Sequence, residues 1–104
     1  MSGDRVPFKH LLGWLILGTK GGLTRARIIR VLKETPQNAN QLATLLGLDY
    51  KAIRHHLGVL QKHRIITSAG DRYGMTYFLS RTMEDNYFLF EEIGREIWEK
   101  EKKE

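Results

Sequence analysis

The stretch from residue 38 to residue 63, NANQLATLLGLDYKAIRHHLGVLQKH, leaves the chain the least freedom. Asn38 is a helix N-cap, and Gln41 three residues on can reach back to it, which is a capping box. Ala39, Leu42, Ala43 and Leu46 then repeat at helical spacing. Gly47 ends this helix as a left-handed residue, and Leu48 is an apolar plug in the turn. Asp49 caps a second helix, where its charge suits the positive end of the helix dipole. In that helix Ile53, Leu57 and Leu60 form one apolar stripe, while Tyr50, Lys51, Arg54, His55, Gln61 and Lys62 occupy the other face. Two short helices joined by a tight turn, the second basic outside, form the pattern that lays a helix in the major groove of DNA. A pair of ordinary amphipathic helices is the alternative this stretch alone leaves open.

Upstream, Pro7 is suited to be the first residue of a helix over residues 8–18, FKHLLGWLILG. That helix is apolar almost all round and has little interior to enter in so small a chain, so part of it is expected to face a second subunit. Covering the chain's own core is the alternative. Gly18 to Gly22 is a loop without the spacing of a phosphate-binding loop. Thr24 is read as the N-cap of the next helix, with Leu23 stapled onto Ile28. Ile28, Ile29 and Leu32 face inward, Arg25, Arg27, Arg30 and Lys33 outward, and the helix stops before Pro36. Arg25 and Arg27, near its start, either touch phosphate or form a solvated basic face.

Downstream, Arg64 to Ala69 is a β-branched run, Gly70 to Arg72 a turn, and Tyr73 to Leu79 a second extended run. A hairpin directly after the second motif helix adds a wing with Arg72 at its tip. An arginine there lies along the DNA backbone or enters the narrow minor groove. Helix, helix, helix, hairpin is the winged-helix order, and it favours the DNA reading. Thr82, with Asp85 three residues on, is read as capping a last helix over residues 82–100. Met83, Tyr87, Phe90, Gly94 and Ile97 run along one side of it. With Leu12, Trp14 and Leu15 of the first helix they are read as a dimerisation surface, packing against residues 8–18 of the same chain being the alternative. Gly94 weakens the helix and is read as permitting close helix approach. The fold class expected is mainly α with a small β-hairpin (α+β), a winged helix-turn-helix with extra N- and C-terminal helices, in one domain of 104 residues whose core spans residues 24–80.

Charge sharpens the reading. Residues 1–81 carry 13 Lys/Arg against 4 Asp/Glu, and residues 82–104 carry 4 against 8. A polyanion is attracted to the first segment and turned away from the second. Cysteine is absent, which excludes disulfides and thiolate metal sites and suits a reducing cytoplasm. The N-terminus has no signal-peptide shape, and residues 11–17 are too few to span a bilayer, so no membrane association is expected. No nucleophile–base–acid set or phosphate loop is present, so no enzyme and no cofactor are expected. His55 and His63 stand eight apart rather than four, and no metal site is assigned.

From Arg25 to Ser80 the chain closely resembles the small archaeal winged helix-turn-helix regulators of the ArsR-like group. The residues that carry the resemblance are Leu23 to Ile29, Asn38 to Ala43, Leu48 to Lys51, Arg54-His55-His56-Leu57 with Leu60, and Tyr73-Gly74. It implies a dimeric transcription factor with terminal helices at the dimer interface. Carried over by position, Tyr50, Lys51, Arg54 and His55 become DNA readers, and His56 packs or hydrogen-bonds inside. Founding members of the wider group sense metals through cysteine pairs, and this chain has none, so metal sensing does not transfer. The function expected is a sequence-specific regulator that binds double-stranded DNA as a homodimer. The rival readings are a winged-helix protein-interaction module and a non-specific architectural DNA-binding protein.

Overall fold

The structure is a computed structural model that describes residues 7–71 and 73–102. Arg72, the MSGDRV start and the last two residues lie outside the described residues. In chain order the elements are α1 (Phe8–Leu17), α2 (Gly22–Glu34), β1 (Gln37–Asn38), α3 (Ala39–Leu46), α4 (Tyr50–Lys62), β2 (Ile66–Asp71), β3 (Gly74–Leu79), α5 (Arg81–Asp85) and α6 (Tyr87–Lys102). The strands form one antiparallel sheet in the order β1-β3-β2, with Ser68 opposite Tyr77 in the hairpin and Gln37 opposite Tyr77 on the other side. This is a winged helix-turn-helix with added terminal helices.

The central motif folds as its caps dictate. The Asn38 side chain accepts from the Gln41 N–H at 2.7 Å, and the Asn38 N–H donates to Gln41 Oε1 at 2.8 Å. Gly47 ends α3 at φ +65°, and Asp49 Oδ2 accepts from the N–H groups of Lys51 and Ala52. Ile53, Leu57 and Leu60 are buried in the core with Leu42, Ala26, Ile28 and Ile29, which fixes α4 by one face and leaves the other outside.

Several boundaries differ from those the sequence predicts. Pro7 stands outside α1 as its N-cap, in extended conformation, rather than as its first residue. The second helix begins at Gly22, not after Thr24, because Gly21 turns the chain at φ +86° and Gly22 closes on α1, where a Cβ would stand 1.8 Å from the Ile16 carbonyl oxygen. Strand β2 begins at Ile66, because Arg64 adopts φ +62° and the Ile65 N–H returns to the Leu60 carbonyl at 2.9 Å. That left-handed residue past the end of α4, with buried Ile65 behind it, is a Schellman-like stop made without glycine. The cap of the C-terminal segment is Ser80, whose Oγ accepts from the Met83 N–H at 3.1 Å, not Thr82. A break at Asn86 then divides the expected helix in two, and α6 continues to Lys102.

The largest correction concerns the apolar terminal helices. Leu12, Leu15, Met83, Phe90, Gly94 and Ile97 are buried within this one chain, where α1 and α6 close over α2. They are part of the core of this one chain. Of the residues read as a dimer surface, Trp14 remains exposed and Tyr87 half-buried. Gly94 makes room not for another helix but for Trp98 of its own helix, whose Nε1 would lie 3.0 Å from a Cβ there.

Arg25 is the second correction. It is 4% exposed and does not face outward. Its Nε donates to the Leu15 carbonyl at 3.1 Å, Nη2 to the Lys20 carbonyl at 3.0 Å and to Thr19 Oγ1, and Nη1 to His56 Nδ1 at 3.1 Å. One guanidinium thus ties the end of α1, the following loop and α4 to α2. An arginine only donates, so His56 must accept through Nδ1 and is held neutral with its proton on Nε2.

Two predictions follow from this packing. Phe90→Ala lowers the unfolding free energy by about 3–5 kcal/mol, read from urea denaturation, because the ring is fully enclosed. The second concerns pH. Burial first, then the Arg25 charge and His55, hold the His56 imidazole below the usual histidine range. The unfolded chain therefore takes up this proton at higher pH than the folded one. Stability is full above about pH 6.5 and falls as the pH drops below it. Thermal unfolding between pH 7 and pH 5 checks this, with His56→Gln expected to flatten the slope.

Candidate nucleic-acid interface

A helix presents a constant set of side chains only where its opposite face is fixed, and α4 meets that condition. Tyr50, Lys51, Arg54, His55, Gln61 and Lys62 all lie exposed on it, on the side away from Ile53, Leu57 and Leu60. Between Tyr50 and Lys62 there is no acidic residue. Gly58 sits on the same exposed face, one turn from both Arg54 and Lys62, with open space where a Cβ would be. Just beyond, Arg64 is exposed in its left-handed conformation. A non-glycine residue there is uncommon, and such positions cluster where a side chain is wanted for function.

The wing stands against this face and holds two of its side chains. Arg54 Nη1 donates to the Tyr77 hydroxyl at 2.8 Å, and Gln61 Nε2 donates to Ser68 Oγ at 2.8 Å. A cleft of about 390 Å³ opens between the start of α3, the start of α4 and the wing, lined by Asn38, Asn40, Tyr50, Arg54, Asp71 and Tyr77 among others. Neither Tyr77, Ser68 nor Gly58 is singled out by sequence patterning. The signal for Tyr77 is a tyrosine in a strand centre, where a hydroxyl that is to be buried requires a partner.

The basic face of α2 does not join this surface. Arg27 pairs with Glu101, Arg30 lies 4.4 Å from the centre of the Trp98 ring, and Lys33 Nζ reaches Glu84 Oε1 at 2.8 Å with the Tyr87 ring 4.9 Å away. The acidic and aromatic residues of α5 and α6 therefore pair with the α2 cations at the surface instead of merely standing apart from them. Arg25 is engaged inside the molecule and is not positioned as a phosphate contact, whereas Arg27 is held in a part-exposed ion pair. The charge segregation seen in the sequence is real, and part of it is an intramolecular contact. Around α4, Lys51, Arg54, Lys62 and Arg64 are open to a polyanion.

Among the described residues, no group of three His, Asp or Glu side chains is placed to hold a metal ion. None of their helices is long and apolar enough to cross a membrane. His55 and His56 contact each other ring to ring at 5.1 Å, and His63 instead meets Trp14 edge-on at 5.8 Å.

Residues 23–68 match the family model described as bacterial regulatory protein, arsR family. No curated protein matches the chain. Among solved structures, HlyU from Vibrio cholerae is 18% identical, with a TM-score of 0.65 over 88% of this chain and 95% of that one. Rv0081 from M. tuberculosis is 18% identical, with a TM-score of 0.64 over 93% and 98%. The transcriptional regulator Tm0710 from Thermotoga maritima is 19% identical, with a TM-score of 0.62 over 88% of this chain and 68% of that one. At these identities the structural likeness speaks for the fold. Together with the family match it places an arsR-type helix-turn-helix over residues 23–68 within a winged-helix chain.

Proposed function

We propose that this chain is a sequence-specific transcriptional regulator that binds double-stranded DNA as a homodimer, with α4 in the major groove and the β2–β3 wing on the backbone or in the minor groove. The observation that carries the proposal is the exposed face of α4, basic and free of carboxylates on a helix whose other face is buried. The arsR-type match and the likeness to solved transcriptional regulators support it. Arg54 is the reader of a guanine edge, with Tyr50, His55 and Gln61 beside it. Lys51, Lys62 and Arg64 hold phosphate, which fixes orientation but carries no sequence information. Gly58 lets the helix approach the groove closely. In a homodimer the two α4 helices enter successive major grooves about 34 Å apart. The surface for the second copy is the outer side of α1 and α6, where Trp14 and Phe88 are more than half exposed.

Fluorescence anisotropy with a labelled duplex from the region upstream of the chain's own gene, against a scrambled duplex across a salt series, tests this. The expected result is tighter binding to the native duplex that weakens steeply with salt. Equal binding to both duplexes favours an architectural protein, and no binding at low salt rules DNA out. Arg54→Ala is expected to cost about 1–3 kcal/mol and relax the preference, whereas Lys62→Ala weakens all duplexes alike and lowers the salt slope by about one. Gly58→Gln separates function from stability. It replaces a poor helix former in open space, so the fold gains about 0.5 kcal/mol in urea unfolding while binding to every duplex falls.

A further inference from the structure

Tyr77 lies at the middle of β3, the central strand, with Gln37 opposite it on one side and Ser68 on the other. Its backbone is therefore fixed from both edges. Its ring belongs to the core, and the residue is 3% exposed. A phenylalanine fills such a place as well, so the hydroxyl calls for its own explanation. That hydroxyl accepts the hydrogen bond from Arg54 Nη1 at 2.8 Å, across to the exposed face of α4. The neighbouring position of the wing repeats the arrangement, since Ser68, directly opposite Tyr77, accepts from Gln61. Two side chains seven residues apart on α4 are thus held by one cross-strand pair.

We propose that Tyr77 is a positioning residue that orients Arg54 for base recognition, so that the wing helps to set sequence preference from behind the helix it supports. This rests on the DNA-binding reading given above. An exposed arginine has many rotamers, and each must be abandoned when it meets a base edge. An arginine already tied at one nitrogen loses less, and because, among the described residues, one of its five N–H groups is engaged, the others can meet the base. The anchor also limits where the guanidinium can go, which penalises a shifted or mismatched base pair.

The test uses the full chain. Wild type selects its tightest duplex from a random-sequence pool. Dissociation constants for that duplex and its single-base-pair variants are then measured for wild type, Tyr77→Phe, Arg54→Ala and the double variant. Removing one hydroxyl leaves the ring in the core, and circular dichroism on melting checks that the fold persists. The expected result is a loss of about tenfold in discrimination at one or two base pairs in Tyr77→Phe, with the salt slope unchanged. In the Arg54→Ala background the same change has no further effect on discrimination, which is the mark of a role exerted through Arg54. A Tyr77→Phe variant that discriminates as wild type does, or one that loses affinity equally on all duplexes whether or not Arg54 is present, overturns the proposal while DNA binding stands. Failure of wild type to enrich or bind any duplex overturns both. A readout without DNA stands beside these. The Arg54 guanidinium signal in nuclear magnetic resonance is expected to lose its hydrogen-bonded order in Tyr77→Phe, and an unchanged signal removes the contact on which the proposal is built.

Discussion

Everything outside α4 depends on how firmly α4 is held from behind. Its stripe of Ile53, Leu57 and Leu60 is enclosed among residues of α2 and α3, and each fully buried aliphatic side chain contributes about 1.5–3 kcal/mol relative to exposure. This apolar seat fixes the position of the helix but restrains its rotation and tilt less well. The polar contacts supply that restraint. Arg25 grips the helix at His56 from one side, and the wing grips Arg54 and Gln61 from the other. A buried guanidinium is costly unless its donors are satisfied, and Arg25 finds four acceptors on three segments of chain. Breaking that bracket would release the loop before α2 and the centre of α4 together.

The same logic explains what the terminal helices do. A core built from the helix-turn-helix and wing alone would leave the basic outer side of α2 and the apolar faces of its neighbours open to water. Helices α1, α5 and α6 close that side, and the closure is both apolar and electrostatic. Phe90 and Met83 enter the core, while Glu84, Glu101, Trp98 and Tyr87 take the cations of α2. The surface ion pairs contribute little to stability individually. Their larger consequence is spatial, because they pair cations of α2 within the chain while those of α4 face solvent without a carboxylate on the same helix.

How far the sequence announces this varies with the range of the interaction. Caps are local, so Asn38 with Gln41, Gly47 and Asp49 are legible from spacing alone, as is the 53–57–60 stripe. The hairpin is legible from its β-branched run, although its first residue is displaced by the Arg64 turn, a left-handed conformation that arginine gives no warning of. Strand β1 is two residues long and has no periodicity to detect. The fate of Arg25 is not legible, because a charged residue on a helix reads as exposed and its four acceptors come from carbonyls and side chains elsewhere in the fold. The apolar stripe of α6 shows that it must be covered but not by what, and the choice between its own chain and a second one is made by tertiary packing. Tyr77 carries its message in one oxygen atom, whose partner lies 23 residues away on another element.

The central claim is that the face of α4, steadied by the wing, is where DNA is bound. The most direct measurement is a backbone amide map by nuclear magnetic resonance as a 20-base-pair duplex, selected by the chain from a random pool, is titrated in at moderate salt. The account predicts contiguous shifts over residues 50–64 and along the wing strands, with α2 and the buried faces of α1 and α6 unmoved. Shifts confined to the outer side of α1 and α6, with α4 silent, would contradict it and assign the interaction to the opposite side of the molecule.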